Sequence, residues 1–156
     1  MDAFELNRVN KVLKLCQDNY TEKTLAHVIR VANYALDNFF VSKLAIDREF
    51  LYYCALAHDL IEDTEVTYEE LSQAMDKFSI EKIKKTIELL THNKEQESYV
   101  DYIKRIRESG DLTAYIVKVA DMKDHLVLLN EKDCNISDEV REKLKRKYEE
   151  AIPYLL

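Results

Sequence analysis

The sequence predicts an all-α fold, and three observations carry that expectation. The 156 residues include one glycine, Gly110, and one proline, Pro153, too few turn-formers for a sheet with tight hairpins. Apolar residues recur three and four positions apart along most of the chain, which is helical periodicity. Hydrophobic residues make up 47% and charged residues 34%, enough for one soluble core with charged helix faces around it. The length suits a single domain over residues 1–156 rather than two.

Taken in order, Phe4, Val9, Val12, Leu13 and Cys16 fall on one face of a first helix. Thr21 is placed to cap a second helix, with Thr24 three positions on where a capping box prefers Glu or Gln. Leu25, Val28, Ile29, Ala32, Ala35, Leu36 and Phe39 then form its apolar stripe, and His27 lies beside that stripe. Asp47 or Arg48 opens a third helix through FLYYCALAHDLIED, apolar on nearly every side and therefore central. Thr67 and Glu70 have capping-box spacing and start a short helix, YEELSQAM. Ser79 precedes IEKIKKTIELL, and SYVDYIKRIRES runs to Gly110, a natural helix-ending residue. LTAYIVKVADMKDHLVLL continues the helical period across YIVKVA, the one stretch that also reads as a strand. Ser137 caps the last helix, where Asp138 and Glu139 suit the positive end and Pro153 should fray or kink the final turn. The count is seven or eight helices.

A formal net charge of -7 argues against nucleic acid as a partner, because phosphate binding needs a basic face. The charged run REKLKRKYEE reads as a solvated helix face rather than a nucleic-acid arm. No apolar run approaches the roughly 20 residues of a membrane span. The start, MDAFELNRVNKVL, lacks the basic-then-apolar order of a signal peptide. Cys16, Cys54 and Cys134 are widely spaced and odd in number, which fits reduced thiols in a cytoplasmic protein, with Cys16 and Cys54 packed in the core. The pattern carries no signal for oligomeric state.

The stretch HDLIEDT, starting at His58, is the exception to this bland picture. On a continuous helix, His58 and Glu62 stand at i and i+4, as do Asp59 and Asp63. One imidazole and three carboxylates then share a strip at the end of an apolar helix. An acidic helix end facing water is the plain alternative. If they are buried, leaving them unpartnered is costly, and a divalent cation is the natural partner. His27 on an early helix and Asp121 in VKVADMKDHL on a late one offer further ligands. Together they make a mixed nitrogen and oxygen set, suited to Mn, Fe, Ni, Co or Mg rather than to thiolate zinc.

The order H…HD…D resembles that of the HD-domain metal-dependent phosphohydrolases. The longer form, His27, then His58-Asp59-Leu60-Ile61-Glu62-Asp63-Thr64, then Val117-Lys118-Val119-Ala120-Asp121, is similar to the hydrolase domain of the RelA/SpoT-type alarmone enzymes. Residues 90–106, LTHNKEQESYVDYIKRI, resemble a segment of their small stand-alone members, and the likeness spans roughly residues 20–150. It implies an HD-type helical bundle without a synthetase domain. By that resemblance His27, His58, Asp59 and Asp121 match the metal ligands, Mn2+ is the implied metal, and Glu62 and Asp63 match the acids that orient or activate the attacking water. The implied substrate is a guanosine 5'-di- or triphosphate 3'-diphosphate, cleaved at the 3' position to release pyrophosphate.

After Asp121 this chain reads Met122-Lys123-Asp124-His125, so His125 stands where the family usually has Asn. Before His27, Lys23 is the only basic residue in YTEKTLA, where the family offers a basic pair. Lys23, Lys94, Lys118, His125 and Tyr148 are the candidate substrate contacts, although Lys118 and Lys94 also suit solvated surface positions. His92 reads as a surface or supporting group, and Arg30 as a partner for a carboxylate near the site or a solvent-facing residue. Tyr52, Tyr53, Tyr99 and Tyr102 suit either a stacking pocket or the core. The alternative functions are a nucleotide phosphohydrolase of other specificity, such as a 5'-nucleotidase, and a non-catalytic nucleotide-binding HD protein.

Overall fold

The computed structural model describes residues 3–38, 43–131 and 136–155. Phe39 and Cys134, assigned above to a helix stripe and to the reduced thiols, lie outside the described residues, as do the side chains of Phe4 and Val9. The described residues are helical, with no strand among them, in nine segments: α1 (Ala3–Asn19), α2 (Glu22–Asp37), α3 (Arg48–Ala57), α4 (Leu60–Asp63), α5 (Tyr68–Ala74), α6 (Ile80–Leu90), α7 (Tyr99–Ser109), α8 (Leu112–Asn130) and α9 (Asp138–Leu155). The all-α expectation holds, including α8, where the continuous period outweighs the strand-like YIVKVA.

Most helix starts follow from their caps. Thr21, Asp47, Thr67, Ser79, Ser98 and Asp111 each accept a backbone N–H from the first turn, which satisfies a donor that has no intrahelical partner. Thr67 and Glu70 form the full reciprocal capping box. Gly110 ends α7 in the left-handed conformation, φ 72°, which only glycine adopts without cost. Helix α9 runs two residues past Pro153, so the proline does not end it. A proline this close to a helix end removes only a bond of the last turn.

Helices α2, α3 and α8 pack against one another, while α9 lies on α7 and α8, and α1 and α6 flank the central group. Helix α3 is buried at seven of its ten positions, and α8 is buried on several faces, which marks both as central. Their shared core includes Val28, Val31, Leu51, Leu56, Leu60, Ile103, Ile116 and Val117, all at most 2% exposed. Cys16 and Cys54 are buried free thiols within it. None of the helices is long and apolar enough to cross a membrane, among the described residues.

One expectation needs correcting. The helix opened at Asp47 does not run through Asp63; it breaks at His58 and Asp59, with α4 as a separate turn. The backbone at Asp59 has moved to φ -99°, ψ -4°. Side chains occupy the carbonyls such a break leaves open. The Leu56 carbonyl, which would take the Leu60 N–H in a continuous helix, accepts the Tyr20 hydroxyl at 3.0 Å and lies 3.6 Å from the Cys16 thiol. The Ala55 carbonyl lies 2.7 Å from His58 Nδ1. Periodicity cannot reveal this break, because the partners that stabilise it come from α1 and from His58 itself.

Candidate metal and phosphate site

The break brings His58 and Asp59 to one centre. Successive residues of a helix point about 100° apart, yet His58 Nε2 and Asp59 Oδ2 are 3.3 Å from each other. Across from them, α2 supplies His27 and α8 supplies Asp121. His27 Nε2 is 3.0 Å from Asp121 Oδ1 and 3.9 Å from Asp59 Oδ2, and His58 Nε2 is 3.5 Å from Asp121 Oδ1. His27, His58 and Asp121 are buried. Four potential ligands from three elements therefore face a common centre. Neighbouring ligand atoms about 2.1 Å from one ion stand roughly 3 Å apart, so these separations suit a shared cation.

The hydrogen bonds behind the two imidazoles fix which nitrogen faces inward. His58 Nδ1–H donates to the Ala55 carbonyl, since a carbonyl can only accept. His27 Nδ1–H donates to Asp124 Oδ2 at 2.7 Å, and Arg30 grips that carboxylate through Nε at 2.7 Å and a second guanidinium nitrogen at 3.0 Å. Both Nε2 atoms are then lone-pair donors pointing into the cluster, and both are buried without a hydrogen-bond partner. Lone pairs facing carboxylate oxygens repel unless a proton or a cation lies between them. In the absence of a cation, protons serve. Burial opposes the charge on each ring, but Asp59 and Asp121 at His58, and Asp121 and Asp124 at His27, outweigh it, raising His58 to about 9 and His27 above its ordinary value. The same groups fit a divalent cation, which would displace those protons.

Asp121 is held from behind. Its Oδ2 accepts from the buried Lys118 ammonium at 2.7 Å, which leaves Oδ1 to the imidazoles. Burial pushes against both charges, yet each sustains the other: Asp121 sits well below the usual carboxylate range and Lys118 well above the usual lysine value. The surface position considered for Lys118 is thus corrected. Its ammonium lies under the rings of Tyr99 and Tyr102, 5.4 and 4.9 Å from their centroids.

Two cavities open on the cluster. A polar one of about 210 Å³ is walled by Glu62, Asp63, His92, Lys94, Tyr102 and Lys147, among others, with Lys118 and Asp121 also reaching it. A larger, more apolar one of about 440 Å³ is lined by Lys23, Arg30, Leu128, Leu129, Ile136 and Leu144. His125 and Tyr148 border both, with rings stacked 8° from parallel and centroids 5.2 Å apart. Oxygens of Asp59, Glu62 and Asp63 lie within 4.8 Å of one another. Partial desolvation and the charge of Asp59 raise the pKa of both Glu62 and Asp63. Glu62 Oε1 accepts the His92 backbone N–H at 3.1 Å.

All eleven residues singled out in the sequence therefore border the cluster or one of its two cavities. Lys23 lies in the apolar cavity, Lys94 and Lys118 in the polar one, and His125 and Tyr148 between them. Of the four tyrosines considered for a pocket, Tyr99 and Tyr102 line the polar cavity, whereas Tyr53 is a core residue bonded to Glu49. Arg30 takes the carboxylate-pairing role, with Asp124 as its partner.

Asp124 and Lys147 were missed. Asp124 had a signal, since it lies three residues after Asp121 on the same helix face. Lys147 had none: the run around it reads as solvated, yet its ammonium stands 4.4 Å from the Tyr99 ring centroid at the polar cavity. Desolvation and the neighbouring Lys118 and Lys94 lower its pKa.

Comparison with protein-family models and with curated proteins finds no match for this sequence. Among solved structures, the chain is similar to a metazoan ortholog of SpoT that hydrolyses ppGpp, with a TM-score of 0.72 and 17% sequence identity. The match covers 99% of this chain and 86% of the other. At that identity the likeness establishes a shared fold, and the all-α architecture is therefore that of an HD-type helical bundle.

Proposed function

We propose that this chain is a metal-dependent pyrophosphohydrolase acting on a guanosine 5'-di- or triphosphate 3'-diphosphate. His27, His58, Asp59 and Asp121 would hold one divalent ion, Mn2+ by preference. The observation that carries the reading is the pair of buried, partnerless Nε2 atoms on His27 and His58, both aimed at carboxylates. The fold shared with a ppGpp hydrolase supports the same choice of substrate.

When bound, the ion supplies Lewis acidity toward a phosphoryl oxygen and lowers the pKa of a coordinated water. The protein's own residues do the rest. Glu62, held by the His92 amide and with a raised pKa, is suited to accept a proton from the attacking water, with Asp63 beside it to orient that water. Lys94, Lys118 and Lys147 line the same cavity as these acids. Lys94 and Lys147 remain for the substrate once Lys118 is paired with Asp121, and two ammoniums suit a 3'-diphosphate better than the single phosphate of a 5'-nucleotide. The apolar cavity beyond the His125–Tyr148 stack suits the nucleoside, with Lys23 available to its 5' phosphates. Water attacks the phosphorus bonded to the 3' oxygen, the P–O3' bond breaks, the 3' oxygen takes up a proton, and pyrophosphate is released. The free thiols Cys16 and Cys54 fit a reducing compartment such as the cytoplasm.

The test is turnover of ppGpp by the Mn2+-loaded protein, reading pyrophosphate against orthophosphate. Pyrophosphate release that falls about 10²- to 10⁴-fold in Glu62→Gln, at unchanged metal content, is the expected result. Orthophosphate release from 5'-nucleotides with ppGpp untouched would replace it with the nucleotidase reading. Binding without turnover of either would make the chain a nucleotide-binding protein.

A further inference from the structure

We infer that His125 is a fifth ligand of the same ion, completing a set of three imidazoles; the inference rests on the metal-site reading above. The key atom is Asp121 Oδ1. It is 3.0 Å from His27 Nε2, 3.1 Å from His125 Nε2 and 3.5 Å from His58 Nε2. His27 and His58 carry their protons on Nδ1, so their Nε2 lone pairs face Oδ1 and form no hydrogen bond with it. Its partner Oδ2 is already taken by Lys118. A cation beside Oδ1 satisfies all three nitrogens at once.

Ligand atoms of His27, Asp121 and His125 lie within 4.8 Å of one another, as do those of His27, His58 and Asp59; His27 belongs to both triplets, and placing all five on one ion requires the triplets to draw together as it binds. In an octahedral site adjacent ligands stand roughly 3 Å apart and opposite ones just over 4 Å. Five protein ligands then leave one position for water or a phosphoryl oxygen. Asp121 and His125 are four residues apart on α8, so one helix face presents both. The His125 ring is also pinned. It stacks on Tyr148 and lies 4.7 Å, centroid to centroid, from His27. Its side chain is 37% exposed, enough for water to take the Nδ1–H.

The competing arrangement has His125 donate its Nε2–H to Asp121 without touching the ion. Removing His125 weakens metal binding in either case, so the number of coordinated imidazoles decides. The full chain is loaded with Mn2+ alone and examined by pulsed electron paramagnetic resonance, with 14N- and 15N-histidine. Three imidazole couplings are expected in the wild type. Two are expected in His125→Ala and in His125→Gln, with the Mn2+ dissociation constant raised at least about tenfold. Full Mn2+ occupancy with two couplings in the wild type overturns ligation by His125 and leaves the four-ligand site standing. Three couplings that persist in both variants also overturn it. Failure of the wild type to bind Mn2+ stoichiometrically overturns both readings together.

Discussion

Asp124 Oδ2 lies 2.7 Å from His27 Nδ1, and Arg30 clamps the same carboxylate from the other side. The bond decides which nitrogen of His27 carries the proton, and so which one faces the cluster. Asp124 touches the ion in no arrangement of the site, yet metal affinity should depend on it. Asp124→Ala is expected to weaken Mn2+ binding by about 10- to 100-fold. Asp124→Asn keeps an acceptor for the Nδ1–H and should recover part of that loss. Calorimetric titration of both variants, shown folded by circular dichroism, checks this; equal affinities across wild type, Asn and Ala would remove Asp124 from the site.

Lys118 and Asp121 form a buried pair, and a buried charge left alone is expensive. Lys118→Met keeps the length of the side chain but removes the bond to Asp121 Oδ2 and leaves that buried oxygen without its cation, with only the imidazoles at Oδ1. The expected loss of stability in metal-free protein is about 3 kcal/mol, read from the urea midpoint. Saturating Mn2+ supplies a replacement positive charge, so the gap between wild type and variant should narrow when the ion is present. A midpoint that does not move in the metal-free variant would mean that Asp121 is neutralised by another group.

These two pairs mark the boundary of what the sequence reveals. Helix identity was legible wherever capping chemistry and apolar period agree, as at Ser79 with α6 and at Gly110 ending α7. The side chains around the cluster were legible through their order along the chain, His27, then His58-Asp59, then Asp121, which set them apart from an acidic helix end facing water. What stayed hidden depends on contacts between distant segments. The turn at His58–Asp59 is stabilised by Tyr20, Cys16 and His58 at the carbonyls of Leu56 and Ala55. Lys147 looks solvated within its own helix, and only the packing of α9 on α7 brings it over Tyr99. Local periodicity encodes neither.

Away from the cluster, Arg105 binds both oxygens of Glu97, at 2.6 and 3.0 Å. That bond holds Glu97 below its ordinary carboxylate value. A folded-state pKa below the unfolded one adds stability that is fully present above the unfolded value, near 4.5, and is lost as pH falls through the lower folded value. Both side chains are partly exposed, so the contribution should be about 1 kcal/mol or less. Glu97→Gln is expected to lower the urea midpoint slightly at pH 7, and the difference from wild type should shrink as the pH is taken below about 4.5. A difference that grows with acidification would contradict the depressed pKa.

The break between α3 and α4 is the feature on which the site's geometry turns, so it should be sensitive to a residue that is not itself part of the cluster. Tyr20 sits at the end of α1 and donates its buried hydroxyl to the Leu56 carbonyl. Tyr20→Phe removes one oxygen and leaves that carbonyl with only the weak Cys16 thiol at 3.6 Å. The cost should be about 1–2 kcal/mol of stability, seen in the urea midpoint. It should also lower Mn2+ affinity, because a carbonyl without its hydroxyl partner favours resuming the α-helical bond to the Leu60 N–H. Resumption would rotate His58 and Asp59 away from each other and from His27. If Tyr20→Phe loses stability but binds Mn2+ as tightly as wild type, the local backbone alone holds the turn, and the link from α1 to the cluster fails.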